Sequence, residues 1–189
     1  GQKNFLGAFD APEAVLVDPT LLARDDNEGL VEAIKVSLMK RAPGTASDAA
    51  YFELIESRLQ DVLRKDPSAE SKMQEIMLLS VASHLEQIGT DPWEKELARP
   101  LDFGHEWAHP LEVLTNHRLS HGQAVAIGMA IDSYISFRRG YIQREDFYRI
   151  LALLRAAGLS VHDPAATFEN LWPRLEDFRI HLGGRLTGS

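Results

Sequence analysis

The sequence predicts an all-α protein, a helical bundle of about seven helices with a short N-terminal strand or arm. Three observations predict it. Apolar residues recur at helical spacing through almost the whole chain after residue 27. The runs are punctuated by helix starts and stops, among them Pro43-Gly44, Asp66-Pro67, Gly89, Gly140 and Gly158. Only one stretch, Ala14-Val15-Leu16-Val17-Asp18, is aliphatic in the manner of a buried strand, and a single strand is not stable alone.

Residues 1–22 read as a lead-in loop plus that strand, and residues 23–189 as one helical domain. The first helix is expected over Asn27 to Arg41, with Leu30, Val31, Ile34 and Leu38 on its apolar face. A loop to Ser47 follows, and Ser47 or Asp48 caps a helix reaching about Lys65. Asp66 and Pro67 suit the N-cap and first position of a long helix, with Met73, Met77, Val81, His84 and Ile88 on one stripe and Gly89 at its end. Asp91 to Pro100 reads as irregular or one short helix. His105 and His109 share a helix face, one turn apart. Ser120 and Gln123 form a capping box, so His121 opens the next helix, which runs to Arg139 with Gly140 just past its end. Arg144 to Ala157 is amphipathic and stops at Gly158. The last helix spans Thr167 to Leu182, with Pro173 near its start, and no clear element follows. Both ends are expected to be cut from a larger protein.

With 44% hydrophobic and 25% charged residues among 189, the composition is that of a soluble globular protein with a packed core. A net charge of −8 argues against nucleic acid or an anionic membrane as partner. The absence of cysteine excludes disulfides and thiolate metal sites, and with no signal peptide or membrane-length apolar run the cytoplasm is the expected location.

The chemistry concentrates between Leu101 and Met129. His105-Glu106-Trp107-Ala108-His109 matches H-E-x-x-H, the zinc-protease helix in which two histidines bind zinc and the glutamate activates water. Pro110 opposes that reading, because its ring crowds the Glu106 carbonyl at a cost of ~3 kcal/mol within a helix. The plain alternative is a pair of hydrogen-bonded core histidines, which His121 nearby disfavours. Two imidazoles on adjoining elements need only one carboxylate to make an open zinc site.

Gly104-His105-x-x-x-His109, then His121-Gly122-x-Ala124-Val125-Ala126-x-Gly128-Met129, resembles dehydroquinate synthase and its sugar-phosphate cyclase relatives. That family writes L-N-x-G-H-x-x-G-H-A-x-E, then H-G-E-x-V-A-x-G-M. Lys3-Asn4-x-x-Gly7-Ala8-Phe9 is similar to its K-N-x-x-G-x-F, and Gly29-Leu30-Val31-Glu32-Ala33-Ile34-Lys35 to its G-x-A-E-x-x-K. The resemblance implies the fold of the family's C-terminal, metal-binding domain. It implies that Glu32, His105 and His121 hold zinc or another divalent metal such as cobalt. It makes His109 and Lys35 catalytic, and puts Asn4, Lys35, Asp102, His84 and Glu94 against substrate and Lys3 against the cofactor. NAD would sit on an N-terminal domain preceding these residues. The partners implied are that domain, a phosphorylated sugar and a second copy of the chain in a homodimer.

Some positions depart from the pattern. Asp102 stands where the family has asparagine, Ala98 where it has arginine with Arg99 one place on, and His84 where it has a lysine. A carboxylate in place of a neutral contact repels an acidic substrate. The expectation is therefore a cyclase acting on a sugar phosphate without a carboxylate, with true 3-dehydroquinate synthase as the alternative. A zinc hydrolase using Glu106 and a non-catalytic helical fragment remain as further alternatives.

Overall fold

The computed structural model describes residues 13–18, 28–39, 48–64, 68–89 and 100–181. Seven α-helices lie within them: α1 Glu28–Leu38, α2 Asp48–Leu63, α3 Ala69–Gly89, α4 His105–Leu114, α5 His121–Arg138, α6 Arg144–Ala156 and α7 Phe168–His181. A short 3-10 turn, Pro100–Asp102, leads into α4. No strand occurs among the described residues.

Two helices form the centre. In α1, Leu30, Val31, Ala33, Ile34 and Val36 are all buried, and in α5 every residue from Ala124 to Ala130 is. Helices buried on most sides give little face to water, so each is enclosed by others. Accordingly α1 packs on α2, α3 and α5, while α5 packs on α4 and α6, and α7 closes over α4. The surrounding helices bury one stripe each: Tyr51, Phe52, Ile55, Leu59 and Val62 on α2, and Phe147, Ile150, Leu151 and Leu154 on α6. Two of the predicted stops, Gly140 and Gly158, are present. Gly140 and Gly158 have φ of 76° and 77°, the left-handed geometry that ends α5 and α6.

Among the described residues the aliphatic run at 14–18 has no strand to pair with, and Val15, Leu16 and Val17 are exposed. Two expectations are corrected. On α3 the stripe is rotated from the expected one. Ile76 and Ser83 face inward, and the Tyr51 hydroxyl donates to the Ile76 carbonyl at 3.0 Å, while Met77, Val81, His84 and Ile88 are half-buried. Pro110 does not stop its helix. α4 continues to Leu114 because Ala108, Pro110 and Leu111 are all buried, an apolar gain that outweighs one missing hydrogen bond. The expected cap at Asp66-Pro67 and the Arg41–Ser47 loop lie outside the described residues.

Candidate metal centre

The site forms where α1 meets the first residues of α4 and α5. Gly104, at φ 79°, turns the chain so that His105 becomes the first residue of α4. Ser120 and Gln123 make the predicted capping box, and His121 becomes the first residue of α5. The turn between α4 and α5 holds Asn116 and His117 at φ 51° and 58°. His117 itself is exposed there and stands outside the cluster.

The junction is built on glycine. A Cβ on Gly128 would stand 2.8 Å from the Gly104 carbonyl carbon and 2.9 Å from its Cα, and closer still to its carbonyl oxygen. A Cβ on Gly104 would meet the Met129 nitrogen and the Val125 oxygen, each at 2.8 Å. Only two glycines let the start of α4 lie directly on the backbone of α5. Asp132 locks the contact, accepting from the Gly104 N–H at 2.8 Å and from the Trp107 indole at 2.5 Å.

Glu32, His105 and His121 each bring one ligand-type atom to a point, all within 4.8 Å of one another, and no other such group of three occurs among the described residues. The ring centroids of His105 and His121 are 5.2 Å apart, and His109 stands 6.4 Å and 6.2 Å from them. The two oxygens of Glu32 differ. Oε2 holds the Lys35 ammonium at 2.6 Å, and the Lys35 side chain is only 3% exposed. Oε1 is buried with no hydrogen bond and faces His105 Nε2 at 3.7 Å. That is too long for a hydrogen bond. It is close to the ~3.4 Å that a tetrahedral zinc with bonds of ~2.1 Å sets between its ligands. An orphaned carboxylate oxygen facing an imidazole across such a gap fits a divalent cation.

The electrostatics agree. Burial, and next the charge of Lys35, lower the His105 pKa from 6.5 to about 4, so its ring is neutral near pH 7. A helix N-terminus also disfavours a cationic ring. His105 Nδ1 lies 3.3 Å from the Phe103 carbonyl, which leaves Nε2 turned to Glu32. His121 is 43% and His109 35% exposed at the side chain, so the cluster opens outward on that side.

Two residues escaped the sequence reading. Glu112 reaches both His109 and His121; it matches the final glutamate of the G-H-x-x-G-H-A-x-E pattern. Asp132 was signalled only as the one acid in an otherwise apolar and small-residue helix segment. Asp102 is half-buried in the turn before His105, and His84 half-buried on α3; neither belongs to the three-ligand group. Lys3, Asn4, Glu94, Ala98 and Arg99 lie outside the described residues. Glu106 is 6% exposed and outside the ligand group.

Burial pushes Asp132 from 3.8 up to about 6, with the Trp107 and Gly104 hydrogen bonds opposing. A carboxylate raised on folding contributes stability below its unfolded pKa that is lost as pH rises through about 6. His105, depressed from 6.5 to about 4, does the reverse: its contribution is present above 6.5 and lost as pH falls through about 4. Each amounts to ~3 kcal/mol by linkage, so in the metal-free protein they nearly cancel. Asp132→Asn should therefore uncover the histidine and make unfolding free energy rise with pH between about 4 and 6.5. Denaturant titrations across that range check it; an unchanged slope would contradict the pair of assignments.

The fold and this cluster define a class: a helical domain with a mixed carboxylate and imidazole centre open on one side. The family model described as 3-dehydroquinate synthase C-terminal matches residues 29–177, and the chain belongs to that family. It is 34% identical over 189 residues to a 3-dehydroquinate synthase of Halorhodospira halophila (strain DSM 244 / SL1), covering 97% of this chain and 51% of that protein. It is 34% identical over 167 residues to a 2-epi-5-epi-valiolone synthase of Streptomyces glaucescens, covering 86% of this chain and 41% of that one. Among solved structures, ValA, a 2-epi-5-epi-valiolone synthase from Streptomyces hygroscopicus subsp. jinggangensis 5008 with NAD+ and Zn2+ bound, is similar with a TM-score of 0.84 and 30% identity, over 96% of this chain and 49% of that one. The chain spans about half the length of these relatives.

Proposed function

We propose that this chain, residues 23–189 above all, is the metal- and substrate-binding half of a sugar-phosphate cyclase related to dehydroquinate synthase. The observation that carries the reading is the convergence of Glu32, His105 and His121 beside His109 and Lys35. Glu32, His105 and His121 would hold zinc or a similar divalent metal, such as cobalt. NAD would be held by an N-terminal domain reached through residues 1–22. Held by Glu32, His105 and His121, such a metal would supply Lewis acidity, polarising a substrate hydroxyl and stabilising negative charge on oxygen. NAD supplies the hydride chemistry.

The chain's own residues do the rest. The buried Lys35 ammonium, paired with Glu32, would hold substrate oxygens beside the metal. His109 has its Nδ1 on Glu112, so Nε2 is the nitrogen that takes and returns a proton. Lys3 would contact the cofactor, and Asn4, His84, Asp102 and Glu94 the substrate. A cytoplasmic homodimer binding neither nucleic acid nor membrane completes the proposal. Among the described residues no helix is long and apolar enough to cross a membrane.

The substrate we infer is a phosphorylated sugar without a carboxylate, such as a heptulose phosphate. Asp102, three residues before His105, supports this by repelling an acid. Relatives named for either activity match at equal identity, so experiment must choose. With the full-length protein supplied with NAD and zinc, phosphate release from a heptulose phosphate should exceed that from a sugar-acid phosphate by about tenfold or more, the equivalent of ~1.4 kcal/mol. Asp102→Asn should narrow the ratio. A preference for the sugar acid would overturn the substrate assignment in favour of 3-dehydroquinate synthase. The 189-residue chain by itself is expected to release no phosphate from either.

A further inference from the structure

The Glu112 carboxylate serves two rings at once. Its Oε2 lies 3.2 Å from Nδ1 of His109, three residues earlier on α4, and its Oε1 lies 3.2 Å from Nδ1 of His121, at the start of α5. The first contact is an ordinary pairing within one helix. The second is not, because it crosses between helices, and the side chain that makes it is only 17% exposed. An ionised carboxylate only accepts hydrogen bonds, so both Nδ1 atoms must carry their hydrogen. Both rings are thereby set to the tautomer whose lone pair is on Nε2. A metal ligand and a proton-moving histidine then depend on one acidic side chain that is itself outside the ligand group.

We propose that Glu112 is a positioning residue that fixes the tautomer and orientation of His109 and His121 together. The proposal rests on reading Glu32, His105 and His121 as metal ligands only for its effect on metal affinity. Partners of this kind orient a ligating imidazole and raise its basicity. The His121 side chain is 43% exposed, and its Nδ1 is held from another element by Glu112, so its ring has freedom to gain when that contact is lost. Glu112 also sets the limit of what one substitution can separate. Neutralising it should disturb metal binding and histidine chemistry in the same variant, although it touches neither metal nor substrate.

Glu112→Ala and Glu112→Gln test this in the 189-residue chain, with helical content monitored throughout. Ring nitrogen NMR of the metal-free protein near neutral pH should show both His109 and His121 with hydrogen on Nδ1. In Glu112→Ala both should redistribute between tautomers. In Glu112→Gln, whose amide has one acceptor oxygen and one donor nitrogen, at most one ring should keep its Nδ1 hydrogen. Zinc affinity, measured by competition with a chromophoric chelator, should fall ~10–100-fold in Glu112→Ala. If the alanine variant fails to fold, the glutamine variant carries both readouts. Unchanged ring tautomers, or zinc affinity within about twofold of the parent, would overturn the proposal. If the parent chain binds no zinc, the ligand assignment fails, and the ring spectra still decide the role of Glu112.

Discussion

Gly128→Ala is expected to be strongly destabilising for a change of a single methyl group. The added Cβ meets backbone atoms of Gly104, and that backbone cannot retreat. Gly104 is tied by its N–H to Asp132, and moving it away from Gly128 breaks that bond. Relief therefore requires the start of α4 to move off α5, carrying His105 away from Glu32 and His121. Overpacking against a flexible side chain costs ~1–3 kcal/mol, and against fixed backbone the upper end or more applies. At ~3 kcal/mol a domain of this size loses ~6–12 °C in Tm. Zinc affinity should fall with it, because the shift passes through the first residue of α4. Gly89→Ala is the control: nothing lies within 4 Å of the Cβ it would add, and its Tm should stay close to that of the parent. A Gly128→Ala variant as stable as the control would mean that the two backbones do not touch as described.

Much of this arrangement is legible in the sequence because its causes are local. The capping box at Ser120 and Gln123 fixes where α5 begins, and that alone puts His121 at a helix mouth. Gly140 and Gly158 end helices through their own φ. The four-residue spacing of His105 and His109 gives a shared face. What local spacing could not supply was the third member of the cluster, the carboxylate. Glu32 is 73 residues before His105 in the chain, and only the resemblance to dehydroquinate synthase joined them. Features missed outright share that non-local character. Asp132 reaches Gly104 across 28 residues, and Glu112 reaches His121 from another helix. The misplaced stripe on α3 has the same origin. Methionines, valine and histidine outlined one apolar face, but α3 turns a different one inward, where the Tyr51 hydroxyl on α2 meets the Ile76 carbonyl and Ser80. Pro110 misled in the opposite direction, since its local penalty is real but is outweighed by burial from a neighbouring helix.

The second large effect concerns the metal itself. On the proposed assignment, removing His121 would leave Glu32 and His105, two ligands where a catalytic zinc site needs three. The loss should exceed the ~10–100-fold expected from disturbing a supporting residue, and His105→Ala should match it. Glu106→Gln should leave zinc affinity unchanged, because that side chain is buried outside the ligand group. A zinc hydrolase of the H-E-x-x-H kind would instead bind metal through His105 and His109 and tolerate loss of His121. His109→Ala therefore separates the two designs: it should retain zinc here and lose it there. Glu32 is less suited to this comparison, since its removal also strips the buried Lys35 of its partner.

Calorimetric titration of the metal-free chain with zinc, run beside His121→Ala and His109→Ala, is the most direct test of the centre. We expect one zinc per chain in the parent and in His109→Ala, and no stoichiometric binding in His121→Ala. Equal binding by the parent and His121→Ala, or none by the parent, would contradict the assignment of Glu32, His105 and His121 as the metal ligands.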